Sequence, residues 1–140
     1  YEKYAKDNNV RIGNLDDEEA RIRVLYEDSI IDNNENLIKY AFPWADGFIT
    51  KPSGDMAYEA AAAGCFMLFL EPWGEWEENI QKIFIENGVA VDFNVLDAKS
   101  HFEKLLELDK LQLCLDAAHN LPPIFREGSK NILKMYLKEK

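Results

Sequence analysis

The chain has 140 residues, 47% of them hydrophobic and 30% charged, which are values typical of one ordinary globular domain. Twenty-six acidic residues against 16 basic ones give a net charge of −10, which argues against nucleic acid or an anionic membrane surface as the main partner. The longest nearly apolar run, residues 60–70, is far shorter than the ~20 residues that a membrane-spanning helix needs.

The first third of the chain predicts one strand and one helix. Residues 22–26 alternate between apolar and polar side chains, as a half-buried strand does. Capping side chains follow at 32–34, and the next apolar residues recur at helical spacing up to Pro43, which is expected to end the helix. Those apolar residues are Leu37, Ile38, Ala41 and Phe42.

The centre of the chain predicts a parallel sheet. Short apolar runs at 47–50, 66–70 and 89–91 read as buried strands, and helical stretches at 55–63 and 77–87 separate them. Gly64 and Gly88 follow the two helices, where left-handed caps are expected. Because the strands are too far apart for hairpins, the helices are expected to be right-handed crossovers between parallel strands.

The remainder, from Asp97 onward, predicts helices that pack across the sheet. Their apolar positions are Phe102, Leu105 and Leu106 in one helix, Leu111, Leu115 and Ala118 in a second, and Ile132, Leu133, Tyr136 and Leu137 in a last one after Pro122 and Pro123. The predicted fold is therefore α/β: a single domain, residues 1–140, with a Rossmann-like parallel sheet, helices on both faces and a helical tail.

The cysteines and histidines predict no redox or metal chemistry. Cys65 and Cys114 are too few for a disulfide framework and are expected to be reduced thiols. His101 and His119 have no metal-ligand spacing around them and are expected on helix surfaces. No catalytic triad can be assembled, and we expect neither a metal nor a cofactor.

The loop after the first central strand is a candidate anion site. In an open parallel sheet, ligands bind beyond the carboxyl ends of the strands, where residues 51–55 lie. Free N–H groups at a helix start suit a phosphate, Ser53 adds a hydroxyl, Gly54 allows close approach and Lys51 adds positive charge. The simpler alternative is a common helix start in which Ser53 or Asp55 is the cap.

The equivalent loop after the second central strand is a candidate sugar site. Trp73 and Trp76 stand among four glutamates, and tryptophan beside carboxylates is typical of sugar binding; the acids are Glu71, Glu75, Glu77 and Glu78. The helix dipole alone would also favour acids at this helix start. On the preceding helix, Glu59 is placed either to accept hydrogen bonds from vicinal sugar hydroxyls or simply to be solvated.

Residues 40–95 resemble the donor-binding, C-terminal domain of GT-B glycosyltransferases, most nearly family 28, the MurG-like and monogalactosyldiacylglycerol-synthase-like enzymes. One matching block runs from Ala45-Asp46 through the strand and the Lys51–Asp55 turn to Glu59, an alanine-rich helix and Gly64. A second comprises Pro72, the loop to Asn79, and then Asn87-Gly88 before the last strand. The resemblance implies half of a GT-B fold, and we therefore expect the chain to be a fragment without the acceptor domain and its catalytic base.

The resemblance also implies a role for individual residues. Ser53, Gly54 and Lys51 would hold the donor diphosphate, and Glu59 would bind the ribose. The nucleobase would stack near residues 26–30. The donor sugar would be contacted by Glu75, Asn79, Trp73 and Trp76. The function implied is transfer of a hexosyl group from a nucleotide diphosphate sugar, with a UDP-sugar favoured, to an acceptor held by an N-terminal domain or partner subunit.

Four departures from the family pattern keep alternatives open. Met56 replaces a usual threonine, Asp55 brings a carboxylate close to a diphosphate site, and Glu75 and Trp76 replace the usual glutamine and acid. The alternatives are a non-catalytic carbohydrate- or partner-binding module and a sugar-nucleotide epimerase. We further expect a cytoplasmic protein, peripheral to a membrane through the absent domain if at all, and self-association through an exposed sheet edge.

Overall fold

The computed structural model describes residues 1–26, 28–128, 130, 134 and 137. The chain divides into two compact units, Tyr1–Trp44 and Ala45–Lys140. In the last helix predicted from the sequence, Leu137 is helical, whereas Ile132, Leu133 and Tyr136 lie outside the described residues.

The first unit contains two short helices and a two-stranded parallel sheet. Its elements are α1 (Glu2–Asp7), β1 (Ile12–Gly13), β2 (Ile22–Arg23), α2 (Ile30–Asn36) and a π-helical continuation (Leu37–Ala41). Ile12 lies opposite Ile22 in the sheet. The strand predicted at 22–26 ends at Arg23, so the prediction is wrong for the residues beyond it. The reason is that its partner β1 ends at Gly13, and the Gly13 carbonyl accepts the last hydrogen bond of the pair from the Val24 N–H. The helix starts earlier than predicted, since Ser29 Oγ accepts from the Asp32 N–H.

The second unit is built on a three-stranded parallel sheet, as predicted. The strands β3 (Gly47–Thr50), β4 (Phe66–Phe69) and β5 (Ala90–Asp92) lie side by side in that order. The helices α3 (Gly54–Ala63) and α4 (Glu75–Glu86) form the crossovers, and α5 (Ala98–Glu107) and α6 (Lys110–His119) follow β5. Short 3₁₀ turns at Val95–Asp97 and Pro123–Phe125 complete the unit. The predicted α/β fold is confirmed.

Helices cover both faces of this sheet, and the two sides of β4 show why. Phe69 contacts Phe84 of α4, with ring centroids 6.4 Å apart, so this side of the strand faces the crossover helices. Its neighbour Leu68 points the opposite way and packs with Phe93, Leu105 and Leu111, the last two from α5 and α6. An apolar core therefore lies on each face, which explains why the strand is continuously hydrophobic.

The alanine-rich helix α3 lies close against the sheet. Ala57, Ala60 and Ala61 are fully buried, whereas Ala62 and Ala63 are exposed. Small side chains on the inner face let the helix backbone approach the strands. The alanines therefore serve packing, and the start of the helix is held firmly at the rim of the sheet.

Both predicted left-handed glycines are present, and they provide a matched test. Gly64 has φ +83° and Gly88 has φ +73°. A Cβ at position 64 would lie 2.9 Å from His119 Cδ2, whereas the nearest atom at position 88 is Ala117 Cβ at 3.6 Å. Gly88→Ala should cost about 1–2 kcal/mol of backbone strain. Gly64→Ala should cost more, because the His119 ring must also move. Urea denaturation of both variants measures the difference, and an equal or reversed ranking would contradict this account.

The predicted state of the cysteines is confirmed, and the histidines lie on helices. Cys65 and Cys114 are buried thiols that are not joined in a disulfide bond, and burial raises the pKa of both. His119 is exposed on α6, while His101 on α5 is half-buried, stacks on Phe93 and accepts a hydrogen bond from the Asn94 N–H. None of the described helices is both long and apolar enough to cross a membrane.

Candidate functional site

The two candidate loops meet at the carboxyl-terminal rim of the sheet. Lys51, after β3, reaches across to the loop after β4, where its Nζ donates a hydrogen bond of 2.7 Å to the Glu71 carbonyl. The same ammonium group lies 3.9 Å from the centroid of the Trp73 ring and 3.7 Å from Glu77 Oε2. The prediction that these loops share one rim is therefore confirmed, and Lys51 is the residue that joins them.

Glu77 fixes the tryptophan loop in place. It is the third residue of α4, after the N-cap Gly74, and its Oε2 accepts a 2.7 Å hydrogen bond from the Trp73 N–H. A glutamate at this position reaches back over the helix start in many proteins, as in the capping box. Because the dipole alone would have explained this acid, its specific role was missed. The signal that could have found it is the spacing of three residues from Gly74.

The start of α3 has no side-chain cap. Ser53 occupies the N-cap position in extended conformation, but its hydroxyl makes no capping hydrogen bond, contrary to the simple helix-start alternative. Its N–H group donates to the Lys51 carbonyl at 2.8 Å. The first N–H groups of an uncapped helix seek an external acceptor, and the helix dipole adds about half a positive charge there.

Trp76 lies over this uncapped helix start. A Cβ placed on Gly54 would be 3.7 Å from Trp76 Cζ2 and 3.9 Å from its Nε1. The indole is nevertheless 71% exposed, and that of Trp73 is 86% exposed. The loop after β4 thus presents an indole N–H beside the first turn of α3 and two broad apolar surfaces to solvent.

The other predicted site residues are exposed and do not take part in the contacts that join the loops. Glu59 lies on the solvent side of α3, one turn after Asp55, and Met56 is half-buried. Glu75 and Asn79 are exposed on α4. The residues 26–30 suggested for the nucleobase belong to the first unit, and Glu27 lies outside the described residues.

The electrostatics at the rim are mixed. Lys51 supplies one positive charge, its side chain is about a quarter exposed, and Glu77 partly neutralises it. The starts of α3 and α4 add positive potential from their dipoles, while Asp55, Glu75 and Glu78 add negative charge to the first turns of the same helices. Within the described residues, no three His, Cys, Asp or Glu side chains are grouped to hold a metal ion.

Comparison with known proteins gives no relative. No protein-family model, no curated protein and no solved structure matches this chain.

Proposed function

We propose that this chain is the nucleotide-sugar-binding part of a glycosyltransferase of the GT-B kind, most similar to family 28. One observation carries the proposal: an uncapped helix start lies beside a lysine at the rim where a tryptophan-rich loop crosses over. Backbone N–H groups and a lysine suit a diphosphate, and indole rings suit the apolar face of a sugar. A nucleotide diphosphate sugar combines a diphosphate with a sugar, and it is the donor of the enzymes that the sequence resembles.

In this proposal the rim binds the leaving group of the reaction. The Ser53 and Gly54 backbone and the Lys51 ammonium hold the diphosphate of a donor such as a UDP-sugar, and Glu59 accepts hydrogen bonds from the ribose. As the hexosyl bond breaks, negative charge grows on the diphosphate, and the fixed N–H groups stabilise it. Losing one preorganised donor of this kind typically raises the barrier by about 2.7–4 kcal/mol.

The donor sugar would lie over the second loop. Trp73 and Trp76 offer apolar faces, while Glu75 and Asn79 on α4 accept and donate hydrogen bonds to hydroxyls. The acceptor and the catalytic base would come from an N-terminal domain or a partner subunit. The chain alone is therefore expected to bind a donor without transferring its sugar.

Nucleotide diphosphates test the proposal directly. At 100 times its Kd, a ligand of the folded state adds about 2.7 kcal/mol of stability. For a protein of this size, that corresponds to a rise of about 5–10 °C in Tm. We expect UDP to raise Tm by that amount, Glu59→Ala to abolish the rise, and Glu107→Ala, an exposed glutamate on α5, to leave it intact. If none of the three nucleotides UDP, GDP and ADP shifts Tm at millimolar concentration, binding of a nucleotide-sugar donor is excluded.

A second candidate function has its own supporting observation. Trp73 and Trp76 are highly exposed beside a helix start that carries the Asp55 carboxylate, which repels a diphosphate. A non-catalytic carbohydrate-binding module would use the indoles without the phosphate site. In that case oligosaccharides would bind with no nucleotide effect, Trp73→Ala would abolish binding, and Trp44→Ala, which alters an indole that is 67% exposed in the other unit, would not.

A further inference from the structure

The first unit contains a cavity of about 390 Å³ that the proposed function does not use. Leu15, Leu25 and Leu37 form apolar parts of its wall, and Tyr40 and Trp44 add two aromatic rings. Its volume falls in the range of small-molecule sites, which bury most of a ligand behind apolar and aromatic side chains. All the lining residues belong to the segment 1–44.

The charge of this cavity is opposite to that of the chain. Arg21 and Arg23 line it, and no carboxylate is among its described lining residues. The chain as a whole carries −10, and two of the acids in the same segment are paired with another arginine. This is Arg11, which binds Asp17 and Glu19 at 2.8 Å each. A positive apolar cavity in an acidic protein favours an anion with a hydrophobic body.

Arg23 is the residue that points to a ligand. Its Nε is buried and has no hydrogen-bond partner among the described residues. The guanidinium carbon lies 5.7 Å from the centroid of the Trp44 ring, and this contact with the aromatic face leaves the Nε–H without an acceptor in the described part of the chain. A buried donor without an acceptor is unfavourable, and more so in a charged group, so an incoming oxygen atom would be stabilised. Arginine presents its N–H groups in a fork that matches a carboxylate.

We propose that this cavity binds a small aromatic carboxylate. The carboxylate pairs with the guanidinium of Arg23, assisted by Arg21 at the cavity wall. The flat ring lies among the leucines and the Tyr40 and Trp44 rings. The inference is independent of the proposed function, because it involves the first unit alone and neither candidate loop.

The test uses 1-naphthoate as the probe and 1-naphthalenemethanol as its neutral counterpart, with the full 140-residue chain in isothermal titration calorimetry. Naphthoate should bind saturably and at least ten-fold more tightly than the alcohol. Arg23→Met, which keeps much of the side-chain volume but removes the charge, should weaken the binding of naphthoate at least ten-fold. Lys3→Met, which removes a charge from an exposed position on α1, should leave the affinity unchanged. In ¹⁵N spectra, the Trp44 indole N–H, assigned with Trp44→Phe, should shift on titration.

Several results would overturn the proposal. Equal affinity for the alcohol would show that the charge is not used, and equal affinity for inorganic phosphate would show that the apolar wall is not used. If the folded Arg23→Met variant binds naphthoate as tightly as the unaltered chain, the ligand binds elsewhere. The same conclusion follows if the Trp44 indole N–H resonance does not shift. If circular dichroism shows that Arg23→Met does not fold, Arg21→Met and the comparison of ligands on the unaltered chain still decide the matter.

Discussion

Replacing Phe84 with alanine is expected to lower the free energy of unfolding of the second unit by about 3–5 kcal/mol. Phe84 is completely buried, and its ring lies 5.1 Å from that of Tyr58 and 5.7 Å from that of Phe125, measured between centroids. It also contacts Phe69 of the central strand. Because one ring connects α3, α4, the sheet and the turn at Pro123–Phe125, its removal leaves a cavity that no single neighbour can fill.

Urea denaturation followed by far-ultraviolet circular dichroism measures this effect, since the second unit contains the helices α3, α4, α5 and α6. Leu96→Ala is the control: Leu96 is also a large apolar residue but is 96% exposed, and the change should stay within about 0.5 kcal/mol. A loss below 1 kcal/mol for Phe84→Ala would mean that the described packing of α4 is wrong.

Replacing Glu77 with alanine is expected to destabilise the second unit by about 1.5–3 kcal/mol, the range for hydrogen bonds to charged groups. The change removes the acceptor of the Trp73 N–H and the partner of Lys51. The Glu77 side chain is only 20% exposed, so water replaces these interactions poorly. If the proposed function holds, the freed Trp73 loop should also weaken UDP binding.

Glu78→Ala is the matched control, because Glu78 is an exposed acid in the same first turn of α4. It shares the dipole interaction with Glu77, worth about 0.3–1 kcal/mol, but not the loop contacts. Denaturation and UDP titration of both variants separate the two contributions. Equal losses for both variants would mean that Glu77 acts only through the helix dipole and that its contacts with Trp73 and Lys51 add no stability.

The second unit could be predicted from sequence because its signals are local and agree with one another. The apolar runs at β3, β4 and β5 alternate with helical stretches, and the glycines after α3 and α4 mark the helix ends. Parallel pairing of the strands then follows from connections that are too long for hairpins. Boundaries differ by a few residues at most, as at α4, which begins at Glu75 instead of Glu77.

The first unit was harder to predict because its pairing is not local. β1 is a two-residue strand, Ile12–Gly13, which no periodicity can reveal. The predicted strand after residue 21 needed a partner of matching length, and β1 is too short to provide one. The π-helical stretch Leu37–Ala41 likewise leaves no mark in the apolar spacing, which is close to that of an ordinary helix.

At the candidate site, topology was predictable and individual contacts were not. That both loops share a rim follows from parallel strands. The reach of Lys51 to the Glu71 carbonyl and the position of Trp76 over Gly54 depend on side-chain conformations, which spacing does not encode. The roles of Glu59, Glu75 and Asn79 stay predictions, since these exposed side chains take no part in the contacts that join the two loops.

The distribution of helices over the sheet has a consequence for synthesis on the ribosome. α3 and α4 lie on the side of Phe69, and each is made next to the strands that it connects. The side of Leu68 is closed only by α5 and α6, which leave the ribosome later. The nascent chain therefore exposes this apolar surface until about residue 119 has emerged, and this is the interval in which a chaperone would be needed.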